Sequence, residues 1–257
     1  MNRDDVLGQF DLTGRTAVVT GGTRGIGRAI AEAFGAVGAN VVVASRKADA
    51  CAETESALAA AGVPALGVPT HLGDIDATDA LVAATVERFG GIDIVVNNAA
   101  NALQMPLDQL TPEAWDKSYS VNLRGPIFLA KAAFPHLRAS AHASVVNVIS
   151  VGAITYAPGT SMYAGAKAAL LAFTRNMAAE WAPHGIRVNA LAPGTVDTDM
   201  VRNTGPEAVE RMKLISHQKR IADASEMVGP ALLLASDAGS YVTGQLLVAD
   251  GGYAVAR

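Results

Sequence analysis

Thr16–Val37 reads TAVVTGGTRGIGRAIAEAFGAV and changes character at a cluster of glycines. Thr16–Thr20 is a short apolar run, too continuous for a strand with one face in water. From Gly25 to Val37 the pattern is helical. Between the two, Gly21, Gly25 and Gly27 are spaced G-x3-G-x-G. A residue without Cβ lets a turn take unusual dihedrals and lets backbone approach a ligand closely. The N-terminus of the following helix offers free N–H groups and a positive dipole end, which suits an anion such as a pyrophosphate. A glycine cluster can be no more than a turn. Set after the first strand of a βαβ unit, it reads as a variant of the dinucleotide-binding fingerprint.

The alternation continues along the chain. Further apolar runs are NVVVAS (Asn40–Ser45), ALGVP (Ala65–Pro69), IDIVVN (Ile92–Asn97), SVVNVI (Ser144–Ile149), RVNALA (Arg187–Ala192) and QLLVAD (Gln245–Asp250). Helical stretches are expected near Ala48–Ala61, Ile75–Phe89, Pro112–Leu137 and Gly159–Ala182. Repeated βαβ units imply an α/β fold: a Rossmann-like, doubly wound parallel sheet of about seven strands with helices on both faces. No Pro- or Ser-rich linker and no internal repeat interrupts the pattern, so residues 1–257 read as a single domain.

Composition narrows the function classes. Half of the 257 residues are hydrophobic and 17% are charged, ample for a large core. A net charge of −4 shows no basic excess and argues against nucleic acid as a partner. Cys51 is the only cysteine, so no disulfide can form within the chain, as expected of a reducing cytoplasm. The N-terminal MNRDDVLGQFDLTG has no apolar h-region and no run approaches 18 apolar residues, so neither a secretory signal nor a membrane span is expected. His71, His136, His142, His184 and His217 lack ligand spacing, and no metal site follows from them.

Two further stretches carry chemistry. Many dinucleotide-binding folds place an acid roughly 20 positions beyond the glycines, to bond a ribose 2′-hydroxyl. Here Ser45 stands 18 residues after Gly27, Arg46 follows it, and no acid occurs before Asp49. Arg46 and Arg24 could meet a 2′-phosphate, or could be ordinary solvated charges. The second stretch, Ser161–Ala182, is SMYAGAKAALLAFTRNMAAEWA. On a helix Tyr163 and Lys167 lie one turn apart on one face. A fixed cation favours a phenolate and would lower the tyrosine pKa, making Tyr163 a general acid or base. The alternative is a ring packed on an aliphatic stem.

Gly21-x3-Gly25-x-Gly27, Asn97-Asn98-Ala99, Asn122, Ser150, Tyr163-x3-Lys167 and Pro193-Gly194 together resemble the short-chain dehydrogenase/reductase family, in that family's order. Ser150 lies 13 residues before Tyr163 and Asn122 lies 28 before Ser150, both as the family pattern has them. The resemblance runs from about Asp11 to the C-terminus. It implies a catalytic set of Asn122, Ser150, Tyr163 and Lys167. Tyr163 would exchange a proton with the substrate oxygen and Ser150 would hydrogen-bond that oxygen. Lys167 would lower the tyrosine pKa and hold the nicotinamide ribose, while Asn122 would fix a water on the proton path. It also implies a cofactor site made of Gly21, Thr23, Arg24, Gly25, Ile26, Gly27, Ser45, Arg46, His71, Leu72, Asn98, Ala99, Tyr163, Lys167, Pro193, Gly194, Val196 and Thr198. NADP(H) is the preferred cofactor on Ser45 and Arg46, with NAD(H) the alternative.

Two positions depart from the family pattern. His71 stands where an acid often lies beside the adenine, and Ala100 replaces the glycine of the Asn-Asn-Ala-Gly turn. Between Ala164 and Thr174 only Lys167 and Thr174 are polar, so this helix is expected to be buried on more than one side, within one chain or across a homotetramer or dimer. Segments facing substrate by resemblance are Asn101–Pro106, Val151–Gly159 and Val201–Arg220, with a lid over about 199–222. The first two contain no charge, and Met105, Ile154 and Tyr156 would form an apolar wall or lid packing. The implied activity is hydride transfer between NADPH and a small-molecule carbonyl or secondary alcohol. The alternatives are a 3-oxoacyl thioester reductase, disfavoured by His184 where a docking arginine is usual, and a nucleotide sensor without turnover.

Overall fold

A computed structural model describes residues 1–254. Seven strands, β1 (Thr16–Thr20), β2 (Asn40–Ser45), β3 (Ala65–Pro69), β4 (Ile94–Asn97), β5 (Ser144–Val148), β6 (Arg187–Pro193) and β7 (Leu246–Ala249), form one sheet ordered β3-β2-β1-β4-β5-β6-β7. Every pairing is parallel. The helices are α1 (Arg3–Gly8), α2 (Gly25–Ala36), α3 (Ala48–Ala60), α4 (Ile75–Phe89), α5 (Pro112–Tyr119), α6 (Gly125–Ala139), α7 (Ser161–Trp181), α8 (Asp199–Arg202), α9 (Pro206–Ile215) and α10 (Val228–Ala235).

Successive strand residues point to opposite faces, and both faces are covered. Ala17, Val19, Val41, Val43, Ile94 and Val96 pack with Ile30 and Phe34 of α2 and Leu234 of α10. Val18, Val42, Val95, Val145 and Val188 pack with Leu81 of α4, Leu129 of α6 and Met177 of α7. Coverage on both sides explains why the strands read as continuous apolar runs. A buried polar chain sets α7 against the sheet. Asn97 Nδ2 donates to Asn147 Oδ1 at 2.8 Å, Asn147 Nδ2 to Thr174 Oγ1 at 2.9 Å, and Thr174 Oγ1 to Leu170 O at 2.8 Å.

The expected helix over Pro112–Leu137 is instead two α-helices joined by a π-helical turn, Ser120–Arg124. The reason lies in Gly125 and Pro126. Proline has no N–H, so the Asn122 carbonyl cannot have the i+4 donor of an α-helix. The Gly125 N–H reaches back five residues to Ser120 O. A Cβ on Gly125 would lie 2.3 Å from Leu72 O, so this turn is packed hard on the loop after β3. The strand ends of the sequence reading differ elsewhere only by a residue or two, at β4–β7.

Candidate active site

The strand order reverses between β1 and β4, and in open α/β sheets the crevice at that switch point is where ligands bind. Thr20, at the end of β1, stitches the two turns together. Its Oγ1 donates to Val96 O (3.2 Å) and accepts from Asn98 N (3.0 Å) and Ala99 N (3.1 Å). Asn98 Nδ2 donates in return to Thr20 O at 2.9 Å. The glycines are required here. Gly21 and Gly25 have φ of +65° and +52°. A Cβ on Gly27 would lie 2.3 Å from Gly21 O. Arg24 occupies the N-cap of α2 without a side-chain capping bond, which leaves the first-turn amides to a ligand. Ala100 replaces glycine without strain, since the only described non-glycine residue with positive φ is Lys219.

Above this turn runs a cleft of about 560 Å³. It is lined by Gly21, Thr23, Arg24, Gly25, Ile26, Ser45, Arg46, Leu72, Asn98, Ala99, Ser150, Tyr163, Lys167, Pro193, Gly194, Val196 and Thr198. Of the residues named from sequence, Gly27, His71 and Asn122 are not on its wall. Gly27 lies beneath it, buried against the Gly21 backbone. His71 is turned away: it is exposed and its Nδ1 accepts the Gly73 N–H at 3.1 Å, while neighbours Thr70 and Leu72 face the cleft. The imidazole Nδ1 thus meets the chain's own backbone.

Tyr163 and Lys167 stand in the first two turns of α7, facing the end of β5. Ser150 follows β5, and its Oγ accepts the Gly152 N–H at 3.1 Å, capping the turn Val151–Ala153. Ser150 also hydrogen-bonds the Tyr163 phenol. Lys167 is 1% exposed. Its ammonium donates to Val148 O at 2.9 Å and lies 5.8 Å from the centre of the Tyr163 ring. Burial pushes the lysine down to about 8. The phenol differs from the sequence expectation: burial pushes its pKa up, and the Ser150 hydrogen bond offsets only part of this. Desolvation disfavours both charged forms.

Asn122 is wholly buried beneath this cluster. Its Nδ2 donates to Asn101 O (2.8 Å), Asn101 Oδ1 (2.9 Å) and Ser118 Oγ (3.2 Å), and its Oδ1 accepts the Asn101 N–H (3.0 Å). An amide carries only two donor hydrogens, so these three acceptors share them, while the Asn122 backbone carbonyl is left without an α-helical donor by Pro126. Asn101 in turn donates to Lys117 O at 2.9 Å. The pair ties the turn after β4 to the π-helical turn.

A family model described as enoyl-(acyl carrier protein) reductase matches residues 21–254. Human dehydrogenase/reductase SDR family member 4 is 38% identical over 244 residues, 94% of this chain and 88% of that protein. Gluconate 5-dehydrogenase of Gluconobacter oxydans is 34% identical over 248 residues, 96% of this chain and 97% of that protein. This chain belongs to the short-chain dehydrogenase/reductase family. A solved structure from Beutenbergia cavernae, assigned as an NAD(P)-dependent gluconate 5-dehydrogenase and holding NADP at low occupancy, superposes with a TM-score of 0.91 at 34% identity, covering 96% of this chain and 99% of that one. The protein is an NAD(P)-dependent oxidoreductase of the short-chain dehydrogenase/reductase type, acting on the alcohol/carbonyl couple.

Sequence reasoning missed several cleft residues of this short-chain dehydrogenase/reductase, among them Lys47, Thr70 and Val121, and it named Asn101 and Asp199 only within the substrate-facing and lid segments. Lys47 and Thr70 are legible once the strand ends are known, because they follow the C-terminal ends of β2 and of the edge strand β3. Asp199 has no local signal. It is brought to the cleft by an ion pair with Arg24 at 3.2 Å, between exposed side chains.

Proposed function

We propose that Tyr163 is the acid/base group of an NADPH-preferring carbonyl reductase or alcohol dehydrogenase. The observation that carries it is the meeting of Tyr163, Ser150 and Lys167 at the β5 end of the cleft, opposite the glycine turn and Arg46. The positive-φ glycines and uncapped first turn of α2 suit a pyrophosphate. The nicotinamide cofactor, when bound, supplies or accepts the hydride. The remaining chemistry belongs to the chain. A phenol whose pKa is pushed up carries its proton at neutral pH, the state needed to protonate a forming alkoxide. Ser150 aligns that proton, and Lys167 adds positive charge within reach of the same oxygen. Asn122 acts by positioning, through Asn101 and the π-helical turn.

The NADPH preference rests on the end of β2. Ser45 leaves no carboxylate to repel a 2′-phosphate, and Arg46 is exposed at the rim with no ion-pair partner among the described residues. Arg24 would have to share with Asp199. One charge-assisted hydrogen bond at roughly 1.5–3 kcal/mol corresponds to about a 10- to 150-fold preference, and exposure favours the lower end. Dissociation constants for NADPH and NADH, measured at moderate salt, test this. The Ser45→Asp/Arg46→Ile double variant is expected to invert the ratio through affinity. Equal constants in the parent protein would show that the pair reads nothing.

We further propose one domain over 1–257, in which residues 199–222 form the lid. This segment leaves and returns through a bridge between Val196 and Ala222, and the short helices α8 and α9 lie within it. A dimer or homotetramer is proposed from the exposed Trp115, Phe128 and Phe173 on α5, α6 and α7. Light scattering that returned a concentration-independent monomer near 26.3 kDa would overturn it. The buried free Cys51 and the absence, among the described residues, of a helix long and apolar enough to cross a membrane support a cytoplasmic setting, read by fractionation.

A further inference from the structure

Charge and hydrogen-bonding capacity are unevenly spread along the cleft. Of its cations, Arg24, Arg46 and Lys47 follow β1 and β2 while Lys167 is buried beside Tyr163, and Asp199 is drawn to the first end by its 3.2 Å pair with Arg24. The ends of β2 and β5 are three strand spacings apart, about 14 Å at roughly 4.8 Å per strand. On the β4–β6 side the wall around Ser150 and Tyr163 is made by Val121, Ile149, Met200 and Val201.

The polar groups on that side are already used. Lys167 is buried and donates to Val148 O. Asn101 is committed to Asn122 and to Lys117 O. Ser150 and Tyr163 remain, and the reacting oxygen occupies both. The rim continues the same character, with Ile154 45%, Tyr156 76% and Met200 41% exposed. The two loops flanking it are joined by the Met105 N–H bond to Gly159 O at 2.9 Å, and residues 101–106 and 151–159 carry no charge.

We infer that the substrate is a neutral ketone, or the matching secondary alcohol, with an apolar alkyl or aryl framework. The inference rests on the hydride-transfer reading above and names its substrate class. A sugar or sugar acid would bring hydroxyls that lose water without gaining partners, and the cation on this side, Lys167, is buried and already donates to Val148 O. In reduction the carbonyl carbon gains a hydride from the reduced nicotinamide and the C=O π pair passes to oxygen. That oxygen takes the phenolic proton of Tyr163. The ketone is reduced and the cofactor oxidised.

The test uses the full chain with NADPH and NADH on 2-butanone, 2-hexanone, 2-octanone and acetophenone, and with NADP⁺ and NAD⁺ on 2-octanol and gluconate. The expected kcat/KM rises about two- to fourfold per methylene, mainly through KM. Gluconate is expected to be at least about 100-fold poorer than 2-octanol. A series flat in chain length, or gluconate oxidised as well as 2-octanol, would overturn the substrate class while leaving hydride transfer intact. Cofactor binding with no turnover of any compound would defeat the hydride-transfer reading itself, and this inference with it.

Discussion

Tyr163→Phe is expected to lower turnover by about 10²–10⁴-fold, the range that general acid–base catalysis contributes, while NADPH affinity stays nearly unchanged. The substitution removes one oxygen and keeps the ring that α7 presents to the cleft. Ser150 retains its bond from the Gly152 N–H, so its own orientation does not depend on the phenol. The loss belongs in kcat, because the proton is needed only as charge grows on the substrate oxygen. Steady-state kinetics beside a cofactor titration separate the two effects. Residual turnover within about threefold of the parent would remove Tyr163 from the proton path.

Lys167→Met should raise stability and lower activity. In the unfolded chain the ammonium titrates at its ordinary value of 10.5, and burial moves it to about 8 in the folded protein. Below pH 8 both states hold the proton, so the folded state bears the full desolvation cost, on the order of 3 kcal/mol. As pH rises from about 8 to 10.5 the folded state releases its proton first, and this cost fades. Methionine fills the same channel without a charge but forfeits the bond to Val148 O, about 1 kcal/mol. A net gain of roughly 2 kcal/mol at pH 7 follows, shrinking toward pH 10. Urea denaturation of parent and variant at both pH values measures it, and a variant no more stable at pH 7 would refute the account. Turnover should collapse in the same variant, and reduction by the parent should decline above about pH 8 as the charge is lost. Stability and function compete at this position.

The sheet was legible because its strands are covered on both faces, which makes them continuous apolar runs bounded by glycine and polar turns. The glycine turn and the Tyr163–Lys167 pair were legible because their chemistry is local, set by a missing Cβ and by one helical turn. What could not be read depends on approach from elsewhere. Asp199 reaches Arg24 from 175 residues away, and His71 bonds its own loop instead of facing the cleft. The raised Tyr163 pKa was unreadable for the same reason: the adjacent lysine is visible in the sequence, but the burial that raises the phenol is tertiary. Pro126 carried a local signal for the break in the long helix, the hydrogen bond it cannot make, which the expectation of one helix over Pro112–Leu137 passed over.

That turn also acts as a phase setter. Five residues, Ser120–Arg124, are wound with one more residue than an α-helix would use, so α5 and α6 are rotated out of step with each other. An α-helix turns about 100° per residue. Deleting one residue here would swing Trp115 and Tyr119, which stack at 4.0 Å on α5, by about that angle relative to α6. Pro126 would still withhold an N–H from the ladder, and Asn122 would leave Asn101. The length of this turn thus sets which way α5 faces the site, and it does so without adding to the helix's own hydrogen bonding.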